Sequence, residues 1–437
     1  MSGAATDRET EQAEIAAYFD RLWPILRSIT GAGVRESHDI LAELLPLERF
    51  EIPSGTPLFD WTVPPEWVVR EAYVVTPDGR RILDVRENTL HLVNYAVPFR
   101  GLLSREELNA HLYSLPDQPD AIPYVTSYYT PRWGFCLAHR ERERLPEGAY
   151  EVVVDTAHLD GSLGGSLTLS EAVLPGETDE EVLLSTYTCH PSLANNELSG
   201  PLVTAFLYRR LALRKRRRYT YRFAFVPETV GALAYLKLRG ETLKRNLAAG
   251  YVVTCAGDDA PFTYKRSRRG DTLADRAALC VLGKLPDVRV RAFFPQGSDE
   301  RQYGSPGFNL PVGSIMRSMY GTYPEYHTSL DDRAFISFAA LQGSVDVYEQ
   351  VLGALEQNGR FRNLAPYGEP NLGKRGLYPA RGTERPEERV AATLWVLNYS
   401  DGLHDLLQIA ELSGLELGVL AEAAQACVGA GLLEPLS

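Results

Sequence analysis

Several side chains that could bind a metal ion stand directly after predicted strands of this sequence. His190 follows one apolar run, Glu228 follows the next, and Asp299 and His327 come further along the chain. Ligands of parallel α/β sheets bind at the carboxyl ends of the strands, so we expect these side chains to gather at one sheet edge. Imidazoles combined with carboxylates suit a hydrolytic divalent metal, above all zinc, with one acidic residue left as general base.

Each of these residues also has an ordinary structural explanation. A lone histidine at a strand end is more often a surface or capping residue than a metal ligand. The carboxylate of Glu228 could stabilise the start of the following helix through the helix dipole. Asn196 and Ser199 are residue types that are common at helix starts. The order and spacing of the pieces together favour a metal site.

The elements that would position these residues follow an α/β pattern. Apolar runs at 181–188, 219–227 and 248–257 predict buried strands, with helical periodicity in the segments between them. This alternation of strand and helix indicates a sheet with parallel members.

Two further features precede this pattern. Apolar residues at helical spacing predict a first helix over 13–26. The segments 151–159 and 167–176 flank a glycine-rich turn and predict two antiparallel strands.

Changes in composition and hydrophobic pattern along the chain divide it into three parts. Residues 61–135 show short β-like runs broken by proline and predict a small β-rich domain inserted into a larger one. Residues 1–60 and 136–365 then form the main α/β domain. Residues 366–437 begin with a Pro- and Gly-rich linker and continue with three apolar-periodic segments, the outline of a winged-helix module.

Composition limits the classes of partner. The 437 residues are 44% hydrophobic and carry a net charge of −12, which argues against a nucleic acid or an anionic membrane surface as the main partner. The five cysteines form no CxxC pair, and no apolar run is long enough to span a membrane. These features predict a soluble cytoplasmic protein.

The C-terminal module is acidic. From Gly376 onward it holds three arginines against nine acidic residues, whereas a winged helix on DNA needs a basic face. We therefore expect it to make dimer or domain contacts, which would allow a homo-oligomer, and not to bind nucleic acid.

Four phrases in this order, CHPSLANNELSG, PETVG, GSDE and YHTSLD, resemble the signatures of the zinc aminopeptidase clan. They are most similar to a bacterial branch of aminopeptidase-like proteins, also labelled polysaccharide-biosynthesis proteins with an aminopeptidase-like domain. That branch carries a β-rich insertion and a C-terminal winged helix, so the resemblance covers nearly the whole chain. It implies a zinc-aminopeptidase-like mixed sheet flanked by helices.

The resemblance also implies roles for single residues. His190 and His327 match the two metal-binding histidines of the clan. Glu228 matches the carboxylate that takes a proton from the attacking water, and Asp299 matches a residue of the active-site shell. Asn196 falls where the clan has a metal-bridging aspartate, and Glu197 follows it directly.

Other positions depart from the clan pattern and reduce the expected number of metal ions. A metal-binding glutamate of the clan is replaced by Thr229, and two aspartates are replaced by Ser192 and by a residue near Thr254. Because a neutral amide binds a hard cation more weakly than a carboxylate does, we expect one Zn²⁺ per chain. The expected ligands are the two histidines with some combination of the following: Asn196, Glu197, Glu228 and Asp299.

Residues near His327 are candidates for a substrate pocket. Arg317, Tyr320, Tyr323 and Tyr326 could together bind a ring and a carboxylate. A second aromatic group lies at 128–135, at the end of the predicted insertion. It could also shape the substrate pocket, but packing at a domain interface is the favoured interpretation.

The sequence leaves three functions open. The first is a metal-dependent hydrolase that cleaves an amide or peptide bond in a small-molecule or peptide substrate, with Glu228 as base and Glu197 and Asp299 as further catalytic candidates. The second is a scaffold or binding protein that has lost its metal, as Asn196 and Thr229 suggest. The third is a metal-assisted deacylase or acyl transferase of a biosynthetic pathway.

Overall fold

The computed structural model of the chain describes residues 2–378 and 385–436, with side chains from Arg8 onward. In that part of the chain the helices are α1 (Ser2–Leu22), α2 (Ala32–Leu41), α3 (Arg105–Asn109), α4 (His139–Glu143), α5 (Ser199–Ala212), α6 (Val230–Asn246), α7 (Leu273–Leu282), α8 (Glu300–Tyr303), α9 (Phe338–Gln357), α10 (Pro386–Tyr399), α11 (Leu406–Ser413) and α12 (Leu417–Gly429). The strands are β1 (Glu48–Pro53), β2 (Pro57–Leu58), β3 (Trp61–Thr62), β4 (Glu66–Val75), β5 (Arg81–Ile82), β6 (Phe99–Ser104), β7 (Leu112–Tyr113), β8 (Phe135–Cys136), β9 (Ala149–Leu159), β10 (Ser166–Leu174), β11 (Glu181–Tyr187), β12 (Thr220–Val226), β13 (Leu247–Val253), β14 (Thr263–Lys265), β15 (Arg289–Arg291), β16 (Val312–Met316), β17 (Arg360–Asn363), β18 (Asp401–Asp405) and β19 (Leu433–Leu436).

The chain forms two compact units. The first comprises the residues up to Gly270 together with Arg289–Asp346, and the second comprises Asp271–Val288 and the chain from Val347 onward. All of the predicted metal-site residues belong to the first unit.

The main sheet of the first unit has eight strands in the order β1-β10-β12-β11-β13-β16-β14-β15. The central strands β12, β11, β13 and β16 are parallel, and β1 and β10 pair antiparallel with their neighbours. β14 pairs antiparallel with β16 and parallel with β15. The strands β11 and β12 are buried almost throughout, as expected of the middle of a parallel sheet, and helices α5 and α6 pack against them. The predicted mixed α/β sheet flanked by helices is confirmed.

A smaller antiparallel sheet, in the order β5-β4-β9-β6, forms a second layer within the first unit. Its own apolar cluster includes Trp67, Val74, Phe135, Val152 and Val154. Most of this sheet comes from the segment predicted as a β-rich insertion. Its long strand β9 (Ala149–Leu159) lies beyond the predicted boundary at residue 135. β9 nevertheless belongs to this sheet, because it pairs with β4 on one side and with β6 on the other.

Two details of the sequence-based prediction are wrong. The first helix ends at Leu22 and not at Leu26, because Pro24 lacks an amide hydrogen and restricts the residue before it. The segments around the glycine-rich turn do not form a hairpin. β9 pairs within the small sheet and β10 pairs with β1 and β12 of the main sheet, so the turn carries the chain between two sheets.

The second unit contains the C-terminal module. Helices α10, α11 and α12 lie with a three-stranded antiparallel sheet in the order β18-β17-β19, the arrangement of a winged helix. A capping box between Asp405 and Gln408 starts α11. The linker predicted over 366–386 lies partly outside the described residues, and its described part contains a 3₁₀ turn, Gly373–Arg375.

None of the helices between residues 2 and 378 or between 385 and 436 is both long and apolar enough to cross a bilayer.

Candidate metal centre

His190 stands just beyond the central strand of the main sheet. β11 ends at Tyr187, and the chain then brings Cys189 and His190 to the carboxyl edge of the parallel strands. His190 Nδ1 lies 2.8 Å from Glu197 Oε2. Glu197 belongs to a π-helical turn, Ala194–Leu198, and π-turns of this kind are frequent at functional sites. The carboxylate fixes the imidazole and leaves Nε2 as its free ring nitrogen.

Arg27 balances the charge of Glu197. Its side chain is 1% exposed, and its Nε donates to the His190 carbonyl at 2.8 Å and lies 3.6 Å from Glu197 Oε1. A buried carboxylate needs such a partner, because removing one member of a buried pair is strongly destabilising. Burial works to lower the pKa of His190, but the hydrogen bond and charge of Glu197 outweigh it and raise the pKa.

His327 faces His190 from the loop between β16 and α9. The two ring centroids are 5.4 Å apart, and Tyr326 stacks on the His327 ring at 3.9 Å. The His327 backbone has a positive φ of 57°, and its carbonyl accepts a hydrogen bond of 2.8 Å from Tyr124 N. Burial and the neighbouring His190 lower the pKa of His327 to about 3, so the ring is neutral. Its Nε2 is buried without a hydrogen-bond partner.

Glu228 completes this side of the centre from the end of β12. Its Oε2 lies 3.7 Å from His190 Nε2, beyond hydrogen-bonding distance, and its side chain is 24% exposed. Burial raises the pKa of Glu228, although the charges of His190 and Arg301 oppose the shift. A carboxylate of this kind, with a raised pKa and access to a cavity, is suited to accept a proton near neutral pH.

Asp299 lies behind Glu228 and supports the turn that carries it. Thr229 N donates to Asp299 Oδ1 at 2.7 Å, and Arg301 donates to Thr229 Oγ1 at 2.8 Å. Burial and the charge of Glu228 hold the pKa of Asp299 well above its usual range. The structure therefore places Asp299 as a support for the Glu228 turn, where Thr229 adopts a positive φ of 63°.

Asn196 and Thr254 form a neutral side of the centre. Tyr187 Oη donates to Asn196 Oδ1 at 3.3 Å and lies 2.5 Å from Thr254 Oγ1. The hydroxyl of Thr254 also donates to the Asn196 carbonyl at 3.0 Å. The other end of the Asn196 amide, Nδ2, is buried without a partner. Asp331 holds the backbone here, because its carboxylate accepts from Asn196 N at 2.9 Å.

Cys189 lies on the far side of the His190 ring from Nε2. Its Sγ is 3.4 Å from His190 Nδ1 and accepts from Glu228 N at 3.2 Å. Cys189, His190 and Glu197 are close enough to bind an ion together. We favour a structural role for this trio, because Glu197 is already engaged by His190 and Arg27 and because burial raises the pKa of the thiol.

A cavity of about 400 Å³ opens onto His190, Glu228 and His327. The other described residues that line it are Ile29, Trp61, Thr62, Pro64, Tyr124, Thr126, Tyr128, Tyr129, Cys189, Thr229 and Val230. Tyr128 and Tyr129, which were expected to pack at a domain interface, therefore border the cavity. Tyr124 comes from the same segment, and its ring lies 5.2 Å from both histidine rings.

The residues predicted to form the substrate pocket lie outside this cavity lining. Arg317 donates to Ser344 Oγ and to two backbone carbonyls, each at 3.1 Å. Tyr320 donates to the buried Glu300 at 2.8 Å, and Tyr323 stacks on Phe335. These side chains point back into the fold.

Tyr326 is the member of this predicted group that comes closest to the site. It does not belong to the described cavity lining, but it stacks on the His327 ring, which does. The predicted pocket of four residues is therefore replaced by the aromatic lining described above.

The side chains around the cavity include donor atoms that could hold one zinc ion. His190 Nε2 and His327 Nε2 are free of hydrogen bonds among the described contacts, and the buried Asn196 amide has one open end. An amide can turn so that its oxygen occupies that end, since Tyr187 Oη can accept as well as donate. On the other side, Thr229 and Thr254 are neutral and already hydrogen-bonded. Neither of these two side chains offers a carboxylate to a second divalent ion.

Comparison with known proteins places the chain in a family. A model described as a domain of unknown function (DUF4910) matches residues 16–358, and a winged helix-turn-helix model matches residues 359–435. The chain belongs to the DUF4910 family. The sequence-based resemblance to the aminopeptidase-like branch, with its C-terminal winged helix, is confirmed.

Relatives of this DUF4910 chain extend over nearly its full length. A Clostridium acetobutylicum protein named as a candidate polysaccharide biosynthesis protein with an aminopeptidase-like domain is 43% identical over 424 residues, 96% of each chain. A crystal structure of a candidate peptidase from Clostridium acetobutylicum is similar with a TM-score of 0.91, 41% identity, and coverage of 100% of this chain and 99% of that one.

A more distant structure shares the fold. The zinc aminopeptidase of Bacillus subtilis is similar with a TM-score of 0.57 and 12% identity, over 79% of this chain and 94% of that one. At this identity the likeness shows the fold alone. The DUF4910 chain therefore has a zinc-aminopeptidase-like fold.

Proposed function

We propose that this chain is a zinc-dependent hydrolase that cleaves an amide bond in a small substrate. The observation that carries the proposal is the convergence of two free imidazole nitrogens and a carboxylate at the cavity, His190 Nε2, His327 Nε2 and Glu228. Two histidines with an oxygen donor and an open position are typical of catalytic zinc sites. The aminopeptidase-like fold and the name of the Clostridium relative support the same class.

The residues would divide the work as follows. His190 and His327 hold the ion, and Asn196 is the proposed oxygen ligand. When bound, zinc supplies a Lewis acid that polarises the scissile carbonyl and makes water easier to deprotonate. Glu197 and Arg27 orient His190 from behind.

Glu228 moves the proton. Its carboxylate accepts a proton from the attacking water and passes it to the nitrogen of the leaving amine, so the amide ends as an acid and an amine. The raised pKa of Glu228 makes both transfers accessible near neutral pH.

The test is the Glu228→Gln variant of the zinc-loaded chain. Glutamine keeps the size of the side chain but cannot accept the proton, so amide hydrolysis should fall on the order of 10²- to 10⁴-fold with zinc content unchanged. A matched control is Glu43→Gln, which changes a carboxylate on the surface. Loss of zinc in Glu228→Gln would make this carboxylate a ligand, and unchanged activity would contradict the mechanism.

Two alternatives remain as competing proposals. The neutral side chains Asn196 and Thr229 favour a scaffold that has lost its metal, which predicts no zinc after gentle purification. Acyl transfer instead of hydrolysis would use the same residues but would leave the acyl group on an added amine or alcohol. Metal analysis distinguishes the scaffold from the zinc hydrolase, and product analysis distinguishes acyl transfer from hydrolysis.

We propose that the C-terminal winged helix does not bind DNA. In a helix-turn-helix the second helix enters the major groove, and here that helix, α12, contains neither lysine nor arginine. Its exposed face carries Glu422 and Gln425. A tight, sequence-selective gel shift by the full chain would contradict this proposal.

A further inference from the structure

The walls of the cavity are mainly aromatic and uncharged. Ile29, Pro64 and Val230 contribute apolar surface, and Tyr124 and Tyr128 contribute ring faces close to the two histidines. Hydroxyl groups come from three threonines among the same lining residues, Thr62, Thr126 and Thr229. Such walls favour a substrate that offers C–H surface together with hydroxyl groups.

The cavity offers no spare charge for an ionised substrate. Glu228 is the one carboxylate among its described lining residues, and the proposed mechanism already uses it as base. No lysine or arginine belongs to the described lining, and Arg301 directs its guanidinium to Thr229 Oγ1. Asp299 is fully buried behind the turn. Apart from Glu228 and the proposed zinc ion, which are both used in catalysis, the described lining offers no charged partner to a substrate ammonium or carboxylate next to the scissile amide. Desolvating such a group without a partner of its own is unfavourable.

Two aromatic side chains stand exposed at the cavity. Trp61 is 39% exposed and Tyr129 is 76% exposed, and their rings meet edge to face with centroids 6.0 Å apart. The two rings form one contiguous apolar patch at the cavity, and such patches occur at ligand-binding grooves. The negative face of an aromatic ring attracts polarised C–H groups, such as those on one face of a pyranose ring.

We propose that the amide cleaved here is the N-acyl group of an uncharged amino sugar, whose ring packs against the Trp61–Tyr129 pair. This inference rests on the proposed function and specifies its substrate class. Water adds to the acyl carbon, the C–N bond breaks, and the products are a free carboxylic acid and the amino sugar. The proton that Glu228 takes from water ends on the sugar nitrogen, so the reaction needs no further reactant.

The inference is tested with four substrates on the zinc-loaded full chain. Two are the para-nitrophenyl glycosides of N-acetylglucosamine and of its disaccharide, with acetate release as the readout. The others are leucine para-nitroanilide, which has a free amine, and N-acetyl-leucine para-nitroanilide, which does not. We expect the acetylated sugars to have the highest kcat/KM and the free-amine anilide to have the lowest.

Substitutions of the exposed aromatic pair test the specificity residues. Trp61→Ala and Tyr129→Ala should each raise KM for the sugars roughly threefold to tenfold, the range of one aromatic contact, with kcat nearly unchanged. Tyr129→Phe keeps the ring face and should retain the parent KM. Tyr367→Ala removes a fully exposed tyrosine of the second unit and serves as the matched control.

The outcomes separate the inference from the proposed function. Faster hydrolysis of either anilide than of the sugars would overturn the sugar assignment and leave amide hydrolysis standing. An unchanged KM in both alanine variants would overturn the role of the aromatic pair. Failure of the zinc-loaded chain to hydrolyse any of the four substrates would contradict the proposed function itself.

Discussion

The two sides of the candidate metal centre differ in what they offer a cation. On one side, His190, His327 and Glu228 bring two free ring nitrogens and a carboxylate to the cavity. On the other side, Thr229 and Thr254 present neutral hydroxyls that are already hydrogen-bonded. Both sides stand at the carboxyl edge of the same parallel strands. We therefore expect the number of ions at such an edge to depend on a few side chains and not on the fold.

The largest expected effect on zinc content comes from removing the imidazole of His190 or His327. His190→Ala or His327→Ala should reduce zinc from about one ion per chain to a small fraction of that, because each removes a main ligand. The fold should persist, since the main sheet has its own apolar core. Zinc content is measured by mass spectrometry and the fold by circular dichroism. His139→Ala, in the short helix α4, is the control that should keep the metal.

A smaller effect is expected from the residue behind that imidazole. Glu197→Gln should weaken zinc affinity on the order of 10- to 100-fold, the range typical of groups that orient a metal-binding histidine. The carboxylate that fixes His190 Nδ1 is lost, while Nε2 itself remains. Competition with a chelating dye gives the affinity.

Glu197→Asp tests whether the loss of zinc affinity comes from the lost charge or from the lost contact with His190 Nδ1, since aspartate keeps the charge on a shorter side chain. It preserves the charge beside Arg27 and should recover part of the zinc affinity. Wild-type affinity in Glu197→Gln would show that this carboxylate does not position the metal site.

The smallest effect on zinc content is expected from replacing neutral side chains around the site with carboxylates. The double substitution Asn196→Asp with Thr229→Glu adds two carboxylates, yet zinc should stay at about one ion per chain. Thr254 remains neutral, and the guanidinium of Arg301 lies against residue 229 and repels a second cation. Two ions per chain in this variant would show that Arg301 and Thr254 do not limit the site.

The main residues of the site could be predicted from the sequence because they stand at strand ends. His190 and Glu228 follow β11 and β12 directly, and their proximity follows from the pairing of those two parallel strands. His327 lacks such a strand but belongs to a recognisable phrase. The role of Glu197 was less predictable, because a π-turn directs it to His190 Nδ1 and away from the cavity.

The residues that the sequence did not indicate come from distant segments. Arg27 lies 163 positions from His190, whose carbonyl it binds, and no local pattern marks such a contact. Tyr124 reaches both histidines through a backbone hydrogen bond with His327 that joins two segments of the first unit. Arg317, by contrast, was predicted to line the pocket because of its position in the sequence, but it lies outside the described cavity lining. It is near His327 in sequence, but its side chain is used to bind backbone carbonyls within the fold.

The proposed mechanism requires a single zinc ion held by His190 and His327. The most direct measurement is anomalous scattering at the zinc edge from crystals of the zinc-loaded chain. We expect one strong peak per chain, within bonding distance of His190 Nε2 and His327 Nε2, with Glu228 beside it. Two peaks per chain, or no peak near these two nitrogens, would contradict it.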